Sequence, residues 1–224
     1  MSDAVLVVAA HPDDEVLGCG ATIARFARDG FPVHVVLLAD GETSRGVAAS
    51  ARVAGRKDAA ERAGRAVGCS SVEVHELPDN RLDTVPLLDI VKLVEVAVSR
   101  VRPSIVLTHH GGDTNIDHVI VHNAVNAACR PLPEQTIGEL LFFEVPSSTE
   151  WRPAHSGTPF VPNYFVDVTT TLNVKLEALR IYQDELRPFP HPRSIDAVEA
   201  LAKWRGATAG VGAAEAFIIG RRIR

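Results

Sequence analysis

Three carboxylates and an imidazole crowd together near the start of the chain: His11, Asp13, Asp14 and Glu15, in the stretch AHPDDEVLGCG at residues 10 to 20. Such acids repel one another, and one pKa rises unless a cation or base offsets the charge. His11 and Asp14 flank a tight turn through Pro12. Together they suit one cation, held by an imidazole nitrogen and a carboxylate oxygen, and the pairing favours a divalent first-row metal, zinc above all. Asp13 is not needed as a ligand and stands beside the metal's water, where a carboxylate acts as general base. The plain alternative is a solvated loop whose acid caps the next helix.

A second cluster, HHGGDTNIDHVIVH, runs from residue 109 to 122. His118 and His122, four apart, share a face of an expected helix, so either or both can complete a metal site. Asp117 reads as that helix's N-cap or as a partner that orients an imidazole. His109 and His110 are weaker candidates, because a lone histidine at a strand end is more often a hydrogen-bonded structural residue.

Elements must bring these clusters to one place. Val5–Ala9 is an aliphatic, β-branched run, as expected of a strand buried on both faces, and SIVLT (104 to 108) is similar. Strands are also expected over 32–39, 71–77, 139–145 and 163–169. Helical spacing marks 21–28, 51–68, 87–100, 117–129, 172–186 and 195–203. The alternation predicts an α/β, Rossmann-like, doubly wound and mostly parallel sheet in three layers, with a less regular C-terminal extension. Both clusters follow a strand, which places them at the carboxyl edge where such sheets bind ligands.

The 224 residues suit a single domain over 1–224, and 46% hydrophobic with 23% charged residues is ordinary for a globular protein. A net charge of -5 with scattered cations argues against a nucleic-acid partner. Three cysteines without CxxC spacing suggest neither a disulfide framework nor a cysteine zinc site. The N-terminal apolar run lacks a basic leader, and no run is long enough to span a membrane, so a cytoplasmic setting is expected.

AHPDDEVLGCGATIARFARDG resembles the opening of the PIG-L or LmbE-like de-N-acetylases, and NIDH (115 to 118) is similar to their later Asp-His signature. The resemblance implies a zinc-dependent hydrolase that removes acetyl from an N-acetylglucosamine-type sugar or conjugate. It makes His11, Asp14 and His118 the ligands of one zinc ion and Asp13 the base. Asn115 stands where many members carry a histidine for the charged intermediate. His191, in PFPHPRS, is the candidate to fill that gap, possible across subunits of a homo-oligomer. Arg56 corresponds to an arginine that contacts substrate; a solvated helix face is its plain reading.

Two other functions compete. One is a non-catalytic metal or sugar-binding protein of the same fold. The other is a nucleotide-binding oxidoreductase, but GCGATIA (18 to 24) has Ile23 where GxGxxG needs its third glycine.

Overall fold

The computed structural model describes residues 4–45, 50–133, 135–153, 155 and 157–223. Seven strands form one sheet: β1 Val5–Ala9, β2 Val33–Ala39, β3 Ser71–Leu77, β4 Ile105–His109, β5 Glu139–Phe143, β6 Tyr164–Asp167 and β7 Ala214–Arg222, in the order β3-β2-β1-β4-β5-β7-β6. The first five are parallel; β7 runs antiparallel between β5 and β6. The mostly parallel α/β sheet expected from the sequence is present.

All five residues of β1 are completely buried, and their alternation divides the core. Val5, Val7 and Ala9 pack on one side with residues of α1 (Asp14–Arg28), α2 (Ser50–Val67), α5 (Leu172–Ile181) and α6 (Ile195–Ala209). Leu6 and Val8 pack on the other with α3 (Leu87–Val101) and α4 (Ile116–Ala128). A strand flanked by helices on both faces has no solvent side, which is why it reads as unbroken aliphatic sequence. The winding reverses between β1 and β4, so their carboxyl ends frame a crevice.

Besides small shifts of bounds and a longer α6, three elements depart from expectation in ways that bear on the site. β7 has no counterpart in the sequence reading. α5 ends at Ile181, short of the expected 186, and the turn beyond it carries Glu185 to two arginines. α1 begins at Asp14, well before 21, but is broken at Cys19 (φ -146°, ψ 22°). A break leaves backbone groups without their i−4 partners. Here the Glu215 carboxylate accepts from Ala21 N at 3.2 Å and Thr22 N at 2.7 Å, while Lys175 Nζ donates to Leu17 O at 2.7 Å and to Glu215 Oε1 at 2.6 Å. The buried Lys175–Glu215 pair thus mends the break that lets α1 start at the crevice.

Candidate metal centre

Past β1 the chain turns sharply, with Asp14 N donating to His11 O at 3.2 Å. Asp13 sits at φ 117°, a left-handed value that costs a non-glycine residue roughly 1–3 kcal/mol and needs surrounding structure to hold it. That structure is visible. Glu15 Oε2 accepts from Asp13 N at 3.0 Å, and Tyr182 Oη donates to Glu15 Oε1 at 2.6 Å. Val16 N and Leu17 N both donate to Asp13 O. Glu15 anchors the turn from which its two neighbours project.

At the end of β4 a loop leads into α4, whose N-cap is Asn115. Its Oδ1 accepts from Asp117 N at 2.8 Å, and its Nδ2 donates to Asn80 Oδ1 at 3.0 Å. Gly112 is required in this loop, since a Cβ there would lie 1.8 Å from Thr158 O. Asp117 and His118, in the first turn of α4, are both buried.

The two segments meet around Asp14. Its Oδ2 lies 3.1 Å from His11 Nδ1 and 3.2 Å from His118 Nε2. Around a tetrahedral zinc ion with bonds of ~2.0–2.1 Å, donor atoms are separated by about 3.3 Å, so the observed spacing fits. Asp14 Oδ1 and His118 Nε2 are buried without a hydrogen-bond partner, which fits donor atoms directed at a cation. The far nitrogen of each imidazole faces a carboxylate: His11 Nε2 is 3.0 Å from Asp117 Oδ2, and His118 Nδ1 is 3.2 Å from Asp113 Oδ2. Such carboxylates fix the tautomer that directs the other nitrogen to metal. Asp113 is held in turn by Ser148 Oγ and by Thr149 Oγ1 at 2.6 Å.

His11, Asp79 and Asp117 form a second group of the same reach. Its carboxylates are already served. Leu82 N donates to Asp117 Oδ1 at 3.0 Å, and Ser44 Oγ and Asn80 Nδ2 donate to Asp79. The first group is therefore the better fit.

The electrostatics agree. Burial alone would lower the histidine pKa values, yet hydrogen bonds to Asp117 and Asp14 push His11 up to about 10, and Asp14 and Asp113 push His118 up to about 9. Burial would raise Asp14, but the neighbouring imidazoles, His118 foremost, hold it well below the usual carboxylate range. A pocket that draws positive charge onto imidazoles favours a divalent cation as well, which would displace those protons. Asp13 goes the other way: burial raises it to about 6, with Arg193 opposing.

The remaining sequence candidates are spread around this core. Asp13 is buried beside the donor set, and its Oδ2 accepts from Arg193 Nη1 at 3.1 Å. His122 is turned away, its Nδ1 2.9 Å from His109 O, so of the two α4 histidines His118 joins the cluster. His109 stacks on His118 at 3.9 Å, and its Nε2 accepts from Ala10 N. His110 Nε2 bonds Thr158 O. His191 Nδ1 accepts from Arg193 N at 3.1 Å, and its ring meets Trp151 edge-on. Arg56 is buried and paired with Glu185 Oε1 at 2.9 Å and Glu42 Oε1 at 3.5 Å. Gly18 and Gly20 lie inside α1 against Phe143, Val16 and Lys175, packed as core and not as a phosphate cradle. Asp113, Ser148, Thr149 and Arg193 escaped the sequence reading. For Asp113 a signal exists in its place within the same polar run as His118, and for Arg193 in its place two residues after His191; Ser148 and Thr149 lie distant in sequence from both clusters.

The family described as PIG-L, GlcNAc-PI de-N-acetylase, matches residues 6–129, which contain both clusters. The chain is 30% identical to the uncharacterized deacetylase YaiS of Escherichia coli (strain K12), over 79% of this chain and 88% of that protein. It is 26% identical to the diacetylchitobiose deacetylase of Thermococcus kodakarensis, over 81% and 69%. A 4-oxalmesaconate hydratase of Pseudomonas putida is 31% identical over 78% and 71%. The crystal structure of GalB, a 4-carboxy-2-hydroxymuconate hydratase from the same species, shares the fold with a TM-score of 0.79 at 24% identity, covering 99% of this chain and 98% of that one.

Proposed function

The chain belongs to the PIG-L family of de-N-acetylases, and from that premise we propose that it is a metal-dependent hydrolase removing acetyl from an N-acetylglucosamine-type sugar or conjugate. The observation that carries this reading is the buried triad of His11, Asp14 and His118, whose donor atoms close on one point with Asp13 beside them. The glucosamine class rests on the family's description and on relatives such as the diacetylchitobiose deacetylase.

His11 Nδ1, Asp14 and His118 Nε2 would hold the ion. A divalent cation such as zinc, when bound there, supplies Lewis acidity and brings the pKa of its water near ~7. Asp117 and Asp113 keep the two imidazoles aimed inward. Asp13 takes a proton from water as the water oxygen bonds to the acetyl carbonyl carbon, and returns it to the nitrogen as the C–N bond breaks. Acetate and a free amine leave. Asn115 holds the N-terminus of α4, and with it Asp117 and His118. A loop histidine, His191, and the arginine Arg56 complete the set, His191 beside the exposed Trp151 and Arg56 behind Glu185.

The hydratase relative favours one alternative, addition of water to a small unsaturated polycarboxylate such as 4-oxalmesaconate. Each reaction adds water to an unsaturated carbon, a step that a metal-held water beside a base would serve. Acetate release from a panel of N-acetylated sugars and glycoconjugates, run beside hydration of 4-oxalmesaconate and with metal content measured, separates them. Acetate release that a chelator abolishes supports the deacetylase; hydration without acetate release overturns it.

A further inference from the structure

Arg193 lies 180 residues from Asp13 in sequence, in the proline-rich loop before α6, and its guanidinium reaches into the candidate centre. Nη1 donates to Asp13 Oδ2 at 3.1 Å and to Glu185 Oε2 at 3.4 Å, and Nε donates to Ser147 Oγ at 2.6 Å. Both ends of the residue are fixed. Its own N–H donates to His191 Nδ1, and the next residue, Ser194, is the N-cap of α6.

The charge arrangement decides what this contact does. Glu185 is shared with Arg56 at 2.9 Å, closer than its 3.4 Å to Arg193. Glu185 thus lies nearer Arg56, and of the two carboxylates on Arg193 Nη1, Asp13 is the closer, at 3.1 against 3.4 Å. Among the described residues Arg193 is the only cation paired with that carboxylate. It binds Oδ2 and leaves Oδ1 without a donor among the described residues, so one oxygen is fixed and the other can exchange protons. Ser147, on which Nε rests, precedes the Ser148 and Thr149 that brace Asp113 behind His118.

We propose that Arg193 is a positioning residue: it holds the Asp13 carboxylate in the orientation from which it exchanges protons, and ties that orientation to the loop bracing His118. The proposal rests on Asp13 as the general base. A planar guanidinium that bonds Asp13 and Ser147 through different nitrogens fixes direction as well as charge, which a lysine ammonium does not.

The test compares Arg193→Ala, Arg193→Lys, Asp13→Asn and the double variant. In the metal-free protein, Arg193→Ala should lower Tm by about 4–8 °C when Asp13 is intact and by less than half as much in the Asp13→Asn background, because Asp13 is then no longer a stranded carboxylate and Glu185 keeps Arg56. With metal bound and N,N'-diacetylchitobiose as probe, Arg193→Ala should lower kcat about 10–100-fold at unchanged KM and metal content. Guanidinium ion at non-denaturing concentration should recover part of that loss, and Arg193→Lys should fall between. Equal Tm losses in both backgrounds overturn the pairing. An unchanged kcat, or a raised KM with kcat kept, overturns the positioning. Turnover retained in Asp13→Asn overturns the base assignment and the positioning together, whereas an inactive Asp13→Asn beside a fully active Arg193→Ala overturns the positioning alone.

Discussion

Asp117→Asn separates the two groups that compete for His11. In the wild type, Asp117 Oδ2 faces His11 Nε2 at 3.0 Å while Oδ1 accepts from Leu82 N at 3.0 Å. The amide keeps the second contact through its oxygen but turns an NH2 toward Nε2. The ring must then carry its proton on Nδ1, the nitrogen 3.1 Å from Asp14 that the ligand role requires bare. Removing a carboxylate of this kind typically costs 10–100-fold in metal affinity, about 1.4–2.7 kcal/mol. The assay is competition for zinc against a chelator of known affinity, with stoichiometry by elemental analysis and circular dichroism to show that the metal-free variant is folded. A loss in that range, with one ion still bound at saturation, is the expected result. Unchanged affinity would refute the orienting role of Asp117. Abolished binding, beside a His118→Ala variant that still binds, would show that His11, Asp79 and Asp117 hold the ion instead.

Lys175→Met strands the Glu215 carboxylate in the core beside the α1 break; a cost of about 3–5 kcal/mol and a Tm loss near 10 °C are expected, partly recovered by adding Glu215→Gln. Calorimetry reads both. His122 has its pKa lowered by burial, so the unfolded chain takes up the proton first as pH falls, and stability drains below the unfolded value near 6.5. In His122→Asn the Tm decline between about pH 7 and 5 should be shallower, whatever the offset from lost contact with Phe142.

The sequence carried much of this site because its parts are local. Val5–Ala9 reads as a buried strand from composition alone, and the order of His11, Asp13 and Asp14 after it names a donor pair and a spare acid. His118 is legible because it follows a second strand of the same kind, and parallel strands present their carboxyl ends on one edge. What stayed hidden is set by distant contacts. The choice of His118 over His122 depends on where α4 begins, and Asn115 fixes that by capping Asp117 N. In PFPHPRS the histidine draws attention by its chemistry, yet it is Arg193, two residues on, that touches Asp13. Lys175 falls in an expected helix and Glu215 in a stretch for which no element is expected; only the break at Cys19, inside another element, shows why they are buried together.

The central claim is that Asp13 moves the proton while His11, Asp14 and His118 hold the metal. The measurement that tests it most directly is acetate release by Asp13→Asn on a substrate the wild type cleaves, with zinc content determined on the same sample. The account predicts one zinc ion per chain, as in the wild type, and a rate lower by about 10²–10⁴-fold. Wild-type turnover with zinc in place would contradict it.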